Sequence, residues 1–243
     1  MLLENRVAMI TGGARGMGRA IALRYADEGC DSVIVDMLDK DGEKTVKDIK
    51  AKGREAMFIH CDVSNSKQVK ETVAKAIAKF KKIDILVNNA GVTAQDRFTD
   101  MPLRRWNLII NVNLNGSAYC AHAVLPQMME RNSGVVINMS SILALRVQYS
   151  VPYGATKAAV ERMTTGLARE MRRTNISITA MRPFFVKTEV VSEFLDGRSD
   201  TSDWEEPEMW GKYCAEIAAA DPSITTGKIF DQALCKETFG PWR

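Results

Sequence analysis

The sequence predicts one doubly wound α/β domain built on a parallel sheet. Two observations carry that expectation. Short continuous apolar runs alternate with helical stretches of a dozen residues or more, which demands crossover connections and a sheet covered on both faces. Glycines and polar residues collect where the runs end, the edge at which such sheets bind ligands. With 243 residues and 46% hydrophobic content, the chain can bury one large core. No Pro- or Ser-rich linker, charge block, low-complexity segment or repeat divides it, so residues 1–243 read as one domain.

Val7 to Ile10 is the first buried strand. From Arg19 to Glu28, Ile21, Ala22, Tyr25 and Ala26 recur at helical spacing, and Gly29 supplies a C-terminal stop. Between them lies Thr11-Gly-Gly-Ala-Arg-Gly-Met-Gly18, a G-x-x-x-G-x-G turn rather than G-x-G-x-x-G. Lacking Cβ atoms, Gly12, Gly16 and Gly18 let the backbone turn sharply and let a bulky anion approach. The N–H groups of the helix start then point at that anion, and a diphosphate is the expected occupant.

Ser32 to Val35 is the second strand, closed by Asp36, and a helix follows to about Lys52 with Val46 and Ile49 inward. Ala56 to Ile59 runs into Cys61-Asp-Val63. Ser64 or Ser66 is the expected cap of a helix whose Val69, Val73 and Ile77 form one stripe. Ile83 to Val87 ends in Asn88-Asn-Ala-Gly91. Leu103 to Arg131 reads as a long helix disturbed near Asn111 to Gly116. Val135 to Met139 and Ile176 to Met181 complete the strands, with a helix from Pro152 to Arg173 between them. Residues 190–212, carrying Phe194, Leu195, Trp204, Met209 and Trp210, read as an apolar lid over the substrate, although a helix packed on the core would share that pattern.

Composition excludes several classes. Lys plus Arg number 33 against 30 Asp plus Glu, spread along the chain, so no basic patch speaks for nucleic acid. No apolar run approaches a membrane span and the N-terminus has no signal-peptide core. Five cysteines without a C-x-x-C read as reduced and buried in a cytoplasmic protein, and with only two histidines no metal site is expected.

The chemistry lies in Tyr153-Gly-Ala-Thr-Lys157, which puts Tyr153 and Lys157 on one helix face. A nearby ammonium and the helix N-terminus both favour the phenolate, so the tyrosine pKa is expected below its usual value of about 10. Tyr153 would give a proton to a carbonyl oxygen or take one from an alcohol. Ser141, at the end of a neighbouring strand, would hold the same oxygen. Ser140 is the alternative for that position. Asp36 can accept hydrogen bonds from both hydroxyls of an adenosine ribose and would repel a 2′-phosphate, so NAD is expected over NADP. Arg15 is the candidate contact for such a phosphate. Arg97 and Arg146 either face the substrate cleft, favouring an anionic group, or are solvated.

Taken together these residues resemble the short-chain dehydrogenase/reductase family over roughly Asn5 to Thr188, with a Rossmann-like fold implied. The resemblance implies an oxidoreductase that moves a hydride between a nicotinamide cofactor and a secondary alcohol or ketone, working as a dimer or tetramer. It implies Asn113, Ser141, Tyr153 and Lys157 as catalytic, with Asn113 helping to hold a relay water and Lys157 also binding ribose. The cofactor cleft would take in Gly12, Arg15, Gly16, Met17, Gly18, Asp36, Asp62, Val63, Asn89, Ala90, Gly91, Val186 and Thr188. Asp62 and Val63 would border adenine, and Thr188 the carboxamide. From the residues alone, Asp62 could equally be a turn acid and Asn113 a satisfied polar residue. The rival readings are an NADPH-dependent 3-oxoacyl-carrier-protein reductase and a catalytically idle, cofactor-sensing scaffold. Three departures stand out: a Ser141-to-Tyr153 interval one residue short, Phe184-Phe185 where glycine usually follows Pro183, and Asp231-Gln-Ala233 in place of Asp-Gly-Gly.

Overall fold

Seven parallel strands form one sheet among the described residues, which in the computed structural model are 1–94, 96–146, 150–189 and 204–242. They are β1 (Val7–Thr11), β2 (Asp31–Asp36), β3 (Ala56–His60), β4 (Ile85–Asn88), β5 (Gly134–Met139), β6 (Ile176–Met181) and β7 (Ile229–Phe230), ordered β3-β2-β1-β4-β5-β6-β7. The chain winds outward from β1 and then returns across it to β4. The crevice beyond the C-terminal ends of β1 and β4 is therefore the switch point of a doubly wound sheet.

Strand alternation sorts the core into two layers. Ala8 and Ile10 of β1 face α1 (Gly16–Asp27), α2 (Asp39–Ala51) and α7 (Pro207–Ala219), whereas Met9 faces α3 (Ser66–Phe80), α5 (Ser117–Glu130) and α6 (Val151–Glu170). Both faces being covered, the strands carry unbroken apolar runs.

The elements differ from expectation at identifiable points. Helix α1 starts at Gly16, not Arg19, so the last two glycines of the turn belong to its first turn. Strand β4 begins at Ile85, two residues later than expected. Asp84 before it donates its N–H to the Val7 carbonyl at 2.8 Å and accepts the Val135 N–H at 2.9 Å, while its carboxylate accepts the Val7 N–H at 2.9 Å and meets Lys82 at 2.9 Å and Arg131 at 2.6 Å. Neither Ser64 nor Ser66 caps α3. Asn65 does, its carbonyl oxygen accepting the Lys67 and Gln68 N–H groups. The expected disturbance within the long helix is a π-helical segment, Asn111–Gly116, between α4 (Leu103–Ile110) and α5.

Of the expected lid, residues 190–203, including Phe194 and Leu195, lie outside the described residues. Two of its later apolar residues are core. Met209 and Trp210 belong to α7, which packs on α1 with Trp210 fully buried and Gly211 against the Ala20 carbonyl. Strand β7 gave no sequence signal because two residues show no period. Asp231, just after it, caps α9 (Gln232–Phe239) by accepting the Leu234 N–H, after the one-turn α8 (Pro222–Thr225). All five cysteines are buried. Among the described residues no cluster could hold a metal ion and no helix is long and apolar enough to cross a membrane.

Candidate active site

The glycine turn is stapled to β4. Asn89 Nδ2 donates to the carbonyls of Thr11 and Gly12, both at 3.0 Å, and the Thr11 hydroxyl accepts the N–H groups of Asn89 and Ala90. The Asn89 side chain is thus spent on holding the turn. Gly12 (φ +63°) and Gly16 (φ +56°) have left-handed backbones. A Cβ on Gly18 would stand 2.1 Å from the Gly12 carbonyl oxygen, and one on Gly12 2.9 Å from Ala90 Cα. Met17 packs half-buried against the core, and Arg15 takes the N-cap position without capping by its side chain. Thr188 lies against Gly16, where a Cβ would meet its side chain at 3.4 Å.

Asp36 ends β2 with its carboxylate fixed. One oxygen accepts the Ala14 N–H at 3.0 Å and the other the Met37 and Leu38 N–H groups. Asp62 serves as a turn acid, accepting the Ser64 N–H at 2.9 Å, while Val63 packs on Gly116 of the π segment.

Asn113 sits in that π segment, a deformation common at functional sites. Its side-chain oxygen accepts the Val92 N–H at 2.8 Å, and its Nδ2 donates to the Val92 carbonyl and to Thr156 Oγ1. It is a satisfied polar residue, and it also meets the site. A Cβ on Gly91 would lie 3.5 Å from Asn113 Oδ1 and 3.7 Å from Lys157 Nζ.

Ser140 and Ser141 part company at the end of β5. The Ser140 hydroxyl donates to Glu161 at 2.7 Å, so it is turned away from the cleft. Ser141 accepts the Leu143 N–H and hydrogen-bonds with the Tyr153 hydroxyl. Lys157 is buried, donates to the Met139 carbonyl at 2.6 Å and stands 5.4 Å from the centroid of the Tyr153 ring.

The electrostatics correct one expectation. Burial raises the Tyr153 pKa above its usual value, and the Ser141 hydrogen bond opposes this only in part. Burial also pushes Lys157 down to about 8. The dry environment acts against both charged forms.

Three participants escaped the sequence reading. Thr156 links Asn113 to the Tyr153 carbonyl. Glu161 holds Arg182 by two 2.8 Å bonds and Ser140 by a third. The signal for Glu161 was its spacing, four residues beyond Lys157 on the same helix face. Glu205 accepts the Phe184 N–H and the Trp210 ring N–H, and its backbone bridges Val186.

A doubly wound sheet bearing a glycine turn and a Ser-Tyr-Lys cluster at its switch point defines an oxidoreductase of the dinucleotide-binding class. The chain belongs to the short chain dehydrogenase family, whose sequence profile matches residues 6–199. It is 36% identical over 198 residues to the 3-oxoacyl-acyl-carrier-protein reductase FabG of Staphylococcus epidermidis, covering 81% of each chain. It is 34% identical over 236 residues to BbsD of Thauera aromatica, a subunit of a hydroxy(phenyl)methylsuccinyl-CoA dehydrogenase, covering 94% of this chain and 95% of that one. The crystal structure of levodione reductase superposes with a TM-score of 0.88 at 25% identity, covering 95% of this chain and 96% of the other.

Proposed function

We propose that the chain moves a hydride between NAD(H) and a secondary alcohol or ketone, with Tyr153 as the acid/base. The observation that carries this reading is the convergence of Ser141, Tyr153 and Lys157 on one point beside Asn88-Asn-Ala-Gly91. The residues fit a dinucleotide. The turn has no room for side chains at Gly12 and Gly18, and the α1 N-terminus carries no side-chain cap. On this reading Gly12, Arg15, Gly16, Met17 and Gly18 border the diphosphate, Asp62 and Val63 the adenine, and Val186 and Thr188 the nicotinamide end. Asn89 and Ala90 hold the turn in place, and Gly91 leaves Lys157 access to the ribose.

A bound nicotinamide supplies or accepts the hydride. The remaining work falls to the chain. The raised pKa of Tyr153 keeps its hydroxyl protonated at neutral pH, ready to donate as a ketone oxygen gains charge. Ser141 has its own hydroxyl proton to give to that oxygen. Below about pH 8 the Lys157 ammonium stabilises the phenolate left behind. Asn113 fixes the loop at Val92 and the start of the catalytic helix at Thr156. The opposite reaction needs the phenolate and is favoured by alkali.

The preference for NAD(H) rests on Asp36. Three backbone N–H groups orient its carboxylate. The Met37 and Leu38 N–H groups fill one oxygen, and the oxygen that accepts Ala14 retains capacity for one ribose hydroxyl, not the two expected from the sequence. One hydrogen bond to a charged group is worth roughly 1.5–3 kcal/mol, about ten- to a hundredfold in preference. The test is kcat/KM for both cofactors on one substrate. Wild type should favour NAD(H) at least tenfold, and Asp36→Ala should lose most of that margin. Equal use by wild type would favour the second reading, an NADPH-dependent 3-oxoacyl-carrier-protein reductase, to which the FabG relatives and Arg15 lend support. A cytoplasmic homo-oligomer, dimer or tetramer, completes the proposal by family kinship.

A further inference from the structure

We propose that Arg146 and Phe184 form a carboxylate-recognition site at the rim of the cleft, so that the substrate is a secondary alcohol or ketone bearing a carboxylate. This rests on the reading above and names the substrate class of the same site.

Two loops carry the pair. Arg146 closes the turn that begins at Ser141, its N–H donating to the Ile142 carbonyl at 3.0 Å. Phe184 follows Pro183, whose carbonyl accepts the Ile142 N–H at 2.8 Å. The loops leaving β5 and β6 are thus bonded to each other one residue from Ser141. The same turn is wedged against the catalytic helix, since a Cβ on Gly154 would stand 3.0 Å from the Leu143 carbonyl oxygen. The backbone that carries the pair is thus tied to the segment bearing Ser141 and to the helix bearing Tyr153.

The Arg146 guanidinium stands over the Phe184 ring, 5.2 Å from its centroid. Phe184 is braced edge-on by Phe185 at 4.8 Å, and Phe185 is stacked on Trp204 at 5.2 Å. This orders a long cationic side chain without using a carboxylate, and its N–H fork keeps the shape that matches one bidentately. Arg146 and Phe184 nevertheless remain exposed, Phe184 at 38%. Among the described residues no carboxylate pairs with Arg146. The neighbouring charges are already engaged: Glu205 with Phe184 and Trp210, Arg182 with Glu161, and Asp231 as the cap of α9. A cavity of about 290 Å³ beside Phe184 is lined by Arg182 as well as by Glu205 and Asp231. Arg182 being paired with Glu161, the two carboxylates leave that cavity unfavourable to an anion, and Arg146 is the cation beside Phe184 without a carboxylate among the described residues. Arg97, by contrast, lies on the exposed turn that its own carbonyl closes with the Asp100 N–H.

The test uses the whole chain with two readouts. First, kcat/KM is measured for a keto acid and its methyl ester in wild type, Arg146→Ala, Arg146→Lys and Phe184→Leu. Wild type should favour the acid at least tenfold, as a charged hydrogen bond requires. Arg146→Ala should lower the acid's value at least ten times more than the ester's, with Arg146→Lys recovering part of the difference and Phe184→Leu lying between. Second, calorimetry compares benzoate with benzamide, and the benzoate preference of wild type should vanish in Arg146→Ala. Equal wild-type values for acid and ester, or an equal fall for both in Arg146→Ala, would overturn the proposal. If neither compound turned over with either cofactor while the benzoate preference remained and depended on Arg146, the hydride-transfer reading would fail and this site would stand.

Discussion

The two sides of the cleft are built by different means. On β1, β2 and β4 the site is mainly backbone: glycines with left-handed or crowded geometry, a carboxylate fixed by three N–H groups, and an asparagine tying two carbonyls. On β5, β6 and the catalytic helix it is side chains: hydroxyls, a buried ammonium, and a guanidinium over an aromatic ring. The backbone side has no room for an extra atom at Gly12 or Gly18, and its carboxylate, Asp36, is held by backbone N–H groups. The other side has room to change volume, and its energetics turn on protonation. One side should therefore fail sterically, the other electrostatically.

The largest effect tests the electrostatic side at its centre. Tyr153→Phe keeps the ring and removes the proton, so turnover should fall about 10²–10⁴-fold while cofactor affinity and thermal stability stay close to wild type. A variant that kept most of its rate would remove Tyr153 from the mechanism. In the wild type, alcohol oxidation should keep rising with pH to about 10 and beyond, since burial raises this hydroxyl and oxidation needs it deprotonated. A plateau near pH 8 would mean the phenolate forms more easily than the geometry implies.

Next comes the steric side. Gly18→Ala sets a methyl group 2.1 Å from a backbone oxygen and 2.5 Å from the Asn89 amide. The turn must move, at about 3 kcal/mol, with weakened cofactor binding. Urea unfolding and a cofactor titration measure the two consequences. A Gly18→Ala protein of unchanged stability would mean that the turn is softer than its bonding suggests.

The smallest effect sharpens the contrast. Lys157 in the folded chain titrates at about 8, below its ordinary 10.5, so between these values the unfolded chain binds more protons and stability rises with pH. Burying the charge costs roughly 3 kcal/mol at pH 7 and about 1 kcal/mol at pH 9.5. The stability of Lys157→Met relative to wild type should therefore fall by about 2 kcal/mol between those two pH values, read from urea midpoints at each. A constant difference would show that Lys157 is as well solvated in the folded chain as in the unfolded one, and a larger fall that it is neutral throughout.

The same division governs what the sequence made legible. The sheet, its order of elements and the glycine turn were readable because they follow from apolar periodicity and from the missing Cβ atoms. Tyr153, Lys157 and Ser141 were readable from type and spacing, and the π segment showed itself as a weak patch in a helical pattern. The sign of the Tyr153 shift was not, because spacing reveals a neighbouring charge and says nothing of burial. Met209 and Trp210 read equally as cover or core, and only the docking of α7 on α1 decided between them. The short β7 and the Glu161–Arg182 pair depend on contacts between distant parts of the chain.

One feature remote from the reacting atoms bears on how the site is assembled. Asn88 and Asn138 face each other across β4 and β5, joined by a 2.8 Å bond, and Asn138 reaches on to Thr164. A slip of β5 by one residue would reverse the facing of every side chain and put Ser140 or Ile142 where Ser141 belongs. The apolar residues along β5, buried on both sides, resist such a slip only weakly. The amides resist it strongly, since each buried group left unpaired costs about 1–3 kcal/mol. The pair therefore favours the one alignment of β5 that sets Ser141 at the cleft, so that part of the site's accuracy is fixed in the interior of the sheet.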